Sequence, residues 1–287
     1  MKTATTVNSK RVRVMRFSMS VAYALSITIS VIGQTGEKAA EVSPHQPKMI
    51  RVGDRRLAVY CNGKAERAPT VILIPGGGRP AQDWTKVQPA VAGFARVCSY
   101  DPANLGASDK ATNFPQPIEE AVEDLHAWLK ASGERGPFVL VAHSLSGIHA
   151  RRFEIKYKSE VAGLVFVDSS HEEQSLRLHE LDPNGPVPDE NNARLGWYIK
   201  PGQRLEWKTE LPLIVLGRGK PTPRGNNTSL TAEQFVAWDR IWRGFQEDLA
   251  KRSKHGQFRL AEQSGHFIQL EQPDLVIQAI RDVLKSR

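Results

Sequence analysis

The chain has 287 residues, of which 40% are hydrophobic, and its formal net charge is +8 at pH 7. This length and apolar content predict one sizeable α/β domain with room for a small insertion. Five of the eight surplus positive charges precede the first acidic residue, Glu37, so the rest of the chain carries only +3. No basic stripe with interleaved aromatic residues is present, which excludes nucleic acid as an expected partner.

The first 33 residues have the layout of a secretory signal peptide. A basic segment ends at Arg16, an uncharged apolar segment follows over 17–32, and residues 31–34 are modest in size where a peptidase could cut. The alternative is an uncleaved N-terminal anchor, which would be the protein's membrane contact, although about 20 apolar residues are needed to span a bilayer. We therefore expect export to the periplasm or the outside, a flexible lead-in over 34–47, and a domain over 48–287.

Strands and helices alternate along that domain. Hydrophobic periodicity predicts strands over 49–53, 56–62, 70–74, 96–101, 138–141, 161–167, 213–217 and 258–261. It predicts helices over 82–94, 117–132, 231–252 and 273–285 and another after Gly147, with Pro89 kinking or splitting the first. The polar stretch 172–209, which carries Pro and Trp, is expected to form a short lid over the strand ends. This alternation predicts a mostly parallel sheet that is covered on both faces.

A very tight turn joins the strand over 138–141 to the helix after Gly147. Within it Ser144 stands between two small residues, Ala142 and Ser146, in a relaxed form of the nucleophile elbow. Such an elbow exposes the serine hydroxyl at the end of the sheet and frees the backbone N–H of the next residue, Leu145, to face an oxyanion. An ordinary strand-to-helix turn can have the same sequence pattern. The pattern therefore indicates a nucleophile only when a base, an acid and an oxyanion donor are also found in the chain.

A serine hydroxyl needs a base to remove its proton and an acid to orient that base. The base candidate is His266, which follows the last strand on a turn that contains Gly. His143 is next to the serine, and its side chain is expected to point elsewhere. The Gly-rich loop 75–78 follows the strand over 70–74 and predicts a second oxyanion donor at Gly77, with a plain turn as the alternative. No Gly-Lys-Ser/Thr follows that loop, which excludes a phosphate loop.

These motifs together resemble the α/β-hydrolase family over about residues 48–287. The resemblance is carried by Leu-Ile-Pro-Gly-Gly-Gly (73–78), by the segment 97–109, by Ala-His-Ser-Leu-Ser-Gly (142–147) and by Gly-His-Phe-Ile-Gln-Leu-Glu-Gln-Pro (265–273). It implies an eight-stranded, mostly parallel sheet with helices on both faces. In the segment 97–109, Asn104 occupies a turn position where relatives carry other residues, and Asn tolerates positive φ, so the turn is expected to survive.

The chain contains two cysteines, Cys61 and Cys98. In an exported protein an even number suggests a disulfide, whereas two buried free thiols are the alternative. The sequence is most similar to exported bacterial members of the family that carry cysteines in these two strands. The strand order of the family makes the two strands neighbours, so the resemblance implies that Cys61 and Cys98 are bonded.

The triad acid departs from the usual pattern. Most of the family carry it after the seventh strand, but the loop 217–225 contains no carboxylate. Some members place it after the sixth strand, where Asp168 stands, and the resemblance therefore assigns Asp168 as the orienting acid. Glu172 and Glu173 are the alternative acids, and the alternative role for Asp168 is to cap the strand turn.

The resemblance implies an exported serine hydrolase that cleaves an ester-type bond in a small acyl substrate through an acyl-enzyme. The same residues would serve acyl transfer or thioester, lactone and amide cleavage. No metal or cofactor is expected, because His171-Glu172-Glu173-Gln174 lacks the second His of a zinc helix. A serine at the elbow argues against haloalkane and epoxide hydrolysis. Trp197, Tyr198 and Trp207 in the lid suggest an apolar acyl or aromatic pocket, and ordinary packing is the alternative role for these side chains. The alternative from another class is an inactive binding protein of the same fold, supported only by the missing acid after the seventh strand.

Overall fold

The central feature of the fold is one eight-stranded sheet. The computed structural model describes residues 46–64, 69–113, 116–183, 206–221 and 230–286. The strands are β1 (Lys48–Val52), β2 (Arg55–Asn62), β3 (Val71–Ile74), β4 (Val97–Tyr100), β5 (Phe138–His143), β6 (Val161–Val167), β7 (Leu213–Arg218) and β8 (Gly256–Ala261). Their order is β1-β2-β4-β3-β5-β6-β7-β8. Only β2 pairs in antiparallel fashion, with β1 and β4, and all other described pairs are parallel, so the predicted mostly parallel sheet is confirmed.

Helices cover both faces of this sheet. The described α-helices are α1 (Gln88–Ala92), α2 (Ile118–Ser132), α3 (Ser146–Lys156), α4 (Gln174–Leu181), α5 (Ala232–Lys251), α6 (Ile268–Glu271) and α7 (Pro273–Lys285). Buried residues of α2, α3 and α5 pack on one face, and those of α1 and α7 pack on the other. In β5, Leu140 belongs to the first core and Val141 to the second, which explains why this central strand is apolar throughout.

Two helix starts follow from local sequence. Thr231 and Gln234 form a capping box at the start of α5, in which each side chain accepts a hydrogen bond from the other residue's backbone N–H. Pro89 lies in the first turn of α1, where a backbone N–H would have no acceptor within the helix, so proline costs no hydrogen bond there. The predicted helix over 82–94 is therefore split into a 3₁₀ turn at Ala81–Trp84 and α1.

The two ends of the predicted lid segment pack into the domain. Glu172 and Trp207 are only 4% and 2% exposed. The Trp207 ring lies 5.7 Å from that of Phe166, and its indole N–H donates to Glu154 at 2.9 Å, so this aromatic residue belongs to the core. The helix α4 was not predicted. Trp197 and Tyr198 lie in 184–205, outside the described residues, and the lid there stays a prediction.

The predicted leader (1–33) and nearly all of the lead-in (34–45) also lie outside the described residues. Within the described ranges, no helix combines the length and the apolar character needed to cross a membrane.

Cys61 and Cys98 are joined by a disulfide, which confirms the pairing that the resemblance implied. They occupy directly paired positions on β2 and β4. The bond therefore links the antiparallel β1–β2 hairpin to the parallel part of the sheet. In the loop after β4, Asn104 has a φ of 70°, so the turn survives as expected.

Candidate active site

Ser144 lies on the turn between β5 and α3. Its φ is 53°, a left-handed conformation that is costly for a residue with a side chain and often marks a functional turn. The turn is held from both sides, because the Ser144 N–H donates to the Val167 carbonyl at 3.1 Å and the Ser144 carbonyl accepts from the Ser170 N–H at 2.9 Å. Close packing requires Gly147 after it, since a Cβ there would overlap the Ser169 side chain.

Three side chains from three separate strand ends meet beside this turn. The Nε2 atom of His266 lies 2.9 Å from the Oγ of Ser144. Its Nδ1 lies 2.6 Å from Oδ2 of Asp168, which follows β6 directly. With the proton on Nδ1 donated to the carboxylate, Nε2 is free to accept the hydroxyl hydrogen of Ser144. The structure thus brings together the three residues that the sequence nominated from positions 144, 168 and 266.

Asp168 is fully buried and receives several hydrogen bonds. Its Oδ1 accepts from the Trp242 indole N–H at 2.8 Å and from the Arg218 backbone N–H at 3.0 Å. Its Oδ2 accepts from the Arg218 guanidinium at 3.0 Å. Burial alone would raise the pKa of Asp168, but the hydrogen bond from His266 and the charge of Arg218 outweigh it and hold the pKa below its usual value. Asp168 is therefore held as a carboxylate facing His266.

The sequence interpretation missed Arg218. This residue ends β7, the strand after which most of the family carry the acid. Its guanidinium reaches both Asp168 and Asp239, the latter at 2.9 Å, and lies 4.8 Å from the centre of the Trp242 ring. A cation thus stands next to the usual acid position and neutralises a carboxylate supplied by the neighbouring strand. The lack of a carboxylate in 217–225 indicates that this loop is unusual, but the sequence alone does not show that the Arg218 side chain turns toward Asp168.

His143 was also missed, and the expectation that it points away from the site is wrong. Its ring lies 4.7 Å from the His266 ring, and its Nε2–H donates to the His266 backbone carbonyl at 3.0 Å. Burial, with the neighbouring His266, lowers the pKa of His143 to about 3, so the ring is neutral. A Cβ on Gly76 would come within 2.7 Å of its Nδ1, which explains a glycine there. His143 therefore supports the turn that carries His266.

Two backbone N–H groups beside Ser144 have no acceptor among the residues that the structure describes. Those of Gly77 and Leu145 donate to no atom within the described ranges. The two segments are adjacent, because a Cβ on Gly77 would lie 3.0 Å from Cδ2 of Leu145. The Ser146 hydroxyl donates to the Pro75 carbonyl and so ties the Gly-rich loop to the elbow. Free N–H groups on adjacent, anchored segments are what an oxyanion site requires.

The alternative acids are engaged with arginines. Glu172 pairs with Arg151 at 3.3 Å and with Arg252 at 2.6 Å, in a buried cluster. Glu173 lies 3.9 Å from Arg177 of α4. Of the three carboxylates that the sequence nominated, Asp168 is the one in contact with His266.

The fold and this constellation agree with a family comparison. The sequence profile of the alpha/beta hydrolase family matches residues 71–279. The chain belongs to the α/β hydrolase family. The match contains β3 to β8 and all the residues gathered at the site, from Gly77 to His266.

Individual relatives of this α/β hydrolase are distant. It is 22% identical to the uncharacterized protein YqjL of Bacillus subtilis (strain 168) over 230 residues, which are 77% of this chain and 85% of that protein. It is 28% identical to the probable transporter efuK of Hormonema carpetanum over 148 residues, which are 50% of this chain but only 21% of that protein. A thermophilic esterase from Thermogutta terrifontis superposes with a TM-score of 0.57 at 20% identity, over 84% of this chain and 98% of its own, a likeness of fold.

Proposed function

We propose that this α/β hydrolase is an exported serine hydrolase that cleaves a carboxylic ester of a small acyl substrate. The observation that carries the proposal is the continuous chain of contacts from Ser144 Oγ through the His266 ring to Asp168, 2.9 and 2.6 Å long. A serine in a strained turn, an imidazole and a buried carboxylate in this order form the arrangement that activates a hydroxyl for attack.

In the first half of the reaction, Ser144 Oγ attacks the ester carbonyl while Nε2 of His266 takes the hydroxyl proton. The carbonyl oxygen becomes an oxyanion and accepts hydrogen bonds from the N–H groups of Gly77 and Leu145. The tetrahedral intermediate then collapses, the bond to the alcohol oxygen breaks, and His266 returns the proton to that oxygen. The alcohol leaves and the acyl group remains bonded to Ser144.

In the second half, water attacks the acyl-enzyme as His266 accepts one of its protons. The carboxylic acid is released when His266 returns the proton to Ser144 Oγ. Throughout, Asp168 holds Nδ1–H and stabilises the imidazolium that forms in each step. Its buried hydrogen bonds from Trp242 and Arg218 keep the carboxylate ionised and in one orientation.

The triad is tested by hydrolysis of p-nitrophenyl acetate and butyrate with the full chain and with Ser144→Ala, His266→Ala and Asp168→Asn. We expect each variant to lose roughly 10³- to 10⁴-fold or more in kcat, since triad members act as a unit. Ser286→Ala, an exposed serine at the end of α7, is the matched control and should keep the wild-type rate. Full activity of Asp168→Asn would reject Asp168 as the acid, and a wild type inert to both esters and to a fluorophosphonate would favour a binding protein.

Export is supported by the disulfide, which favours an oxidising compartment, and by the predicted leader. It is tested by expressing the full chain in a bacterial host and measuring the intact mass of the protein in each fraction. A periplasmic or secreted form shortened by about 33 residues supports cleavage at the predicted site. A full-length form that stays with the membrane supports the anchor, and one that stays in the cytoplasm rejects export.

A further inference from the structure

A cavity of about 330 Å³ lies directly beside the two proposed oxyanion donors. Its wall includes the Gly-rich loop 76–78 and Leu145, together with Ala121 of α2. The loop after β4 closes it with Pro102, Ala103 and Leu105, and most of its lining is apolar.

The chemistry of the proposed reaction decides which half of the substrate this cavity can take. The leaving oxygen must lie within reach of His266 Nε2, because that atom protonates it. The described residues that line the cavity include neither His266 nor Asp168 nor Trp242. A carbonyl whose oxygen faces Gly77 and Leu145 therefore directs its leaving group toward His266 and its acyl chain into the cavity.

Two polar side chains in the wall, His149 and Tyr100, make no side-chain hydrogen bond within the described residues. Asp124 accepts hydrogen bonds from Arg55 at 2.9 Å and from Gln116 at 2.7 Å, so its carboxylate is already satisfied. His149, in the first turn of α3, makes no hydrogen bond with any part of the chain that the structure describes. Burial lowers its pKa to about 4, so the imidazole is neutral and offers one donor and one acceptor to the cavity.

We propose that this cavity binds the acyl chain of the substrate and that His149 hydrogen-bonds an oxygen carried by that chain. The inference rests on the proposed ester hydrolysis and adds its substrate class, an ester of an oxo- or hydroxy-acyl chain that fits this cavity. The His149 side chain is partly exposed at the cavity wall, and a bound chain with no oxygen would cover the imidazole and leave it without a partner. That penalty corresponds to a preference of roughly 10- to 100-fold for the oxygenated chain.

The location of the acyl chain is tested with Ala121→Phe, which fills the cavity from α2. For p-nitrophenyl octanoate relative to acetate, the ratio of kcat/KM should fall about tenfold or more. Ala131→Phe, on the exposed face of the same helix, is the matched control and should keep the wild-type ratio. An unchanged ratio in Ala121→Phe, with a melting temperature close to that of wild type, overturns the location. If Ala121→Phe does not fold, Ala103→Val narrows the same cavity and is judged by the same ratio.

The role of His149 is tested with p-nitrophenyl octanoates that carry a ketone at each carbon from 4 to 7. The wild type should prefer at least one of them over plain octanoate by about tenfold or more. This preference should vanish in His149→Phe and partly return in His149→Gln, which retains a donor and an acceptor. No preference in the wild type, or one that survives in His149→Phe, overturns the role of His149.

A binding measurement tests the cavity assignment independently of the proposed hydrolysis. Calorimetry of octanoate and the oxo-octanoates with Ser144→Ala measures affinity and needs no turnover. Binding that is weakened by Ala121→Phe and His149→Phe supports the cavity assignment even if the wild type hydrolyses no ester, in which case only the proposed function fails. Hydrolysis that depends on Ser144 without any such binding preference rejects the cavity assignment and leaves the proposed function standing.

Discussion

Replacing Arg218 with Met removes the positive charge between Asp168 and Asp239 and keeps much of the apolar side chain. Loss of one partner from a buried ion pair costs about 3–5 kcal/mol. The lower figure applies here, because Asp168 retains its bonds from Trp242, from His266 and from the backbone N–H at position 218. For a domain of this size, about 3 kcal/mol corresponds to a fall in melting temperature of roughly 10 °C.

The pH dependence separates a charge effect from a packing effect. The pKa of Asp168 is depressed in the folded protein, partly by Arg218, so its contribution to stability is full above the unfolded-state pKa and is lost as pH falls through the folded-state value. In Arg218→Met the charge of Arg218 is gone, so the pKa of Asp168 is lowered less than in the wild type. The wild type therefore has more stability to lose on acidification, and the gap between the two proteins should narrow below about pH 4.

Melting is followed by circular dichroism between about pH 2 and pH 8 for the wild type, Arg218→Met and Arg218→Lys, so that the range extends below the unfolded-state pKa of an Asp. The Lys variant should be intermediate, because one ammonium cannot bridge two carboxylates and stack on Trp242 as the guanidinium does. Arg243→Met, an exposed neighbour of Trp242, is the control and should melt with the wild type. A shift for Arg218→Met below about 2 °C, or a gap that is the same at every pH, would refute the electrostatic argument.

Three further outcomes are expected. The double variant Cys61→Ser/Cys98→Ser should lose about 4 kcal/mol of unfolding free energy, the chain-entropy value for a loop of 37 residues. Dithiothreitol should lower the melting temperature of the wild type and leave that of the double variant unchanged. An equal effect of dithiothreitol on both melting temperatures would contradict this. Trp242→Phe should lower the free energy of unfolding in urea by about 1.5–3 kcal/mol, because the Asp168 carboxylate loses a 2.8 Å hydrogen bond. Trp238→Phe is the comparison variant for the change from Trp to Phe. His143 is buried and neutral, with a pKa of about 3, so below pH 6.5 its proton binds mainly to the unfolded chain and favours unfolding. Between pH 7 and pH 5 the wild type should therefore lose about 2 kcal/mol more unfolding free energy than His143→Gln. Parallel curves of unfolding free energy against pH would show that His143 does not contribute.

Much of the fold could be predicted because its signals are local. The strand over 161–167 and the helix over 273–285 have the predicted bounds, since an apolar run and a helical period each depend only on near neighbours. The helix α4 was missed because its mean hydropathy and spacing resemble those of a polar loop and none of its residues is buried. Trp207 was assigned to the lid because its long-range contact with Phe166 has no signature in the residues around it.

The candidate site divides in the same way. Ser144 on a tight turn after a buried strand, and His266 on a Gly-containing turn after the last strand, are visible in the amino-acid sequence because each depends on a few adjacent residues. Which carboxylate reaches His266, and what holds that carboxylate, were decided by the tertiary structure. Asp168 and His266 are 98 residues apart, and Trp242 and Asp168 are 74 apart. Such contacts depend on strand order and register across the whole sheet, because parallel strands bring their carboxyl ends to one edge regardless of the length of chain between them.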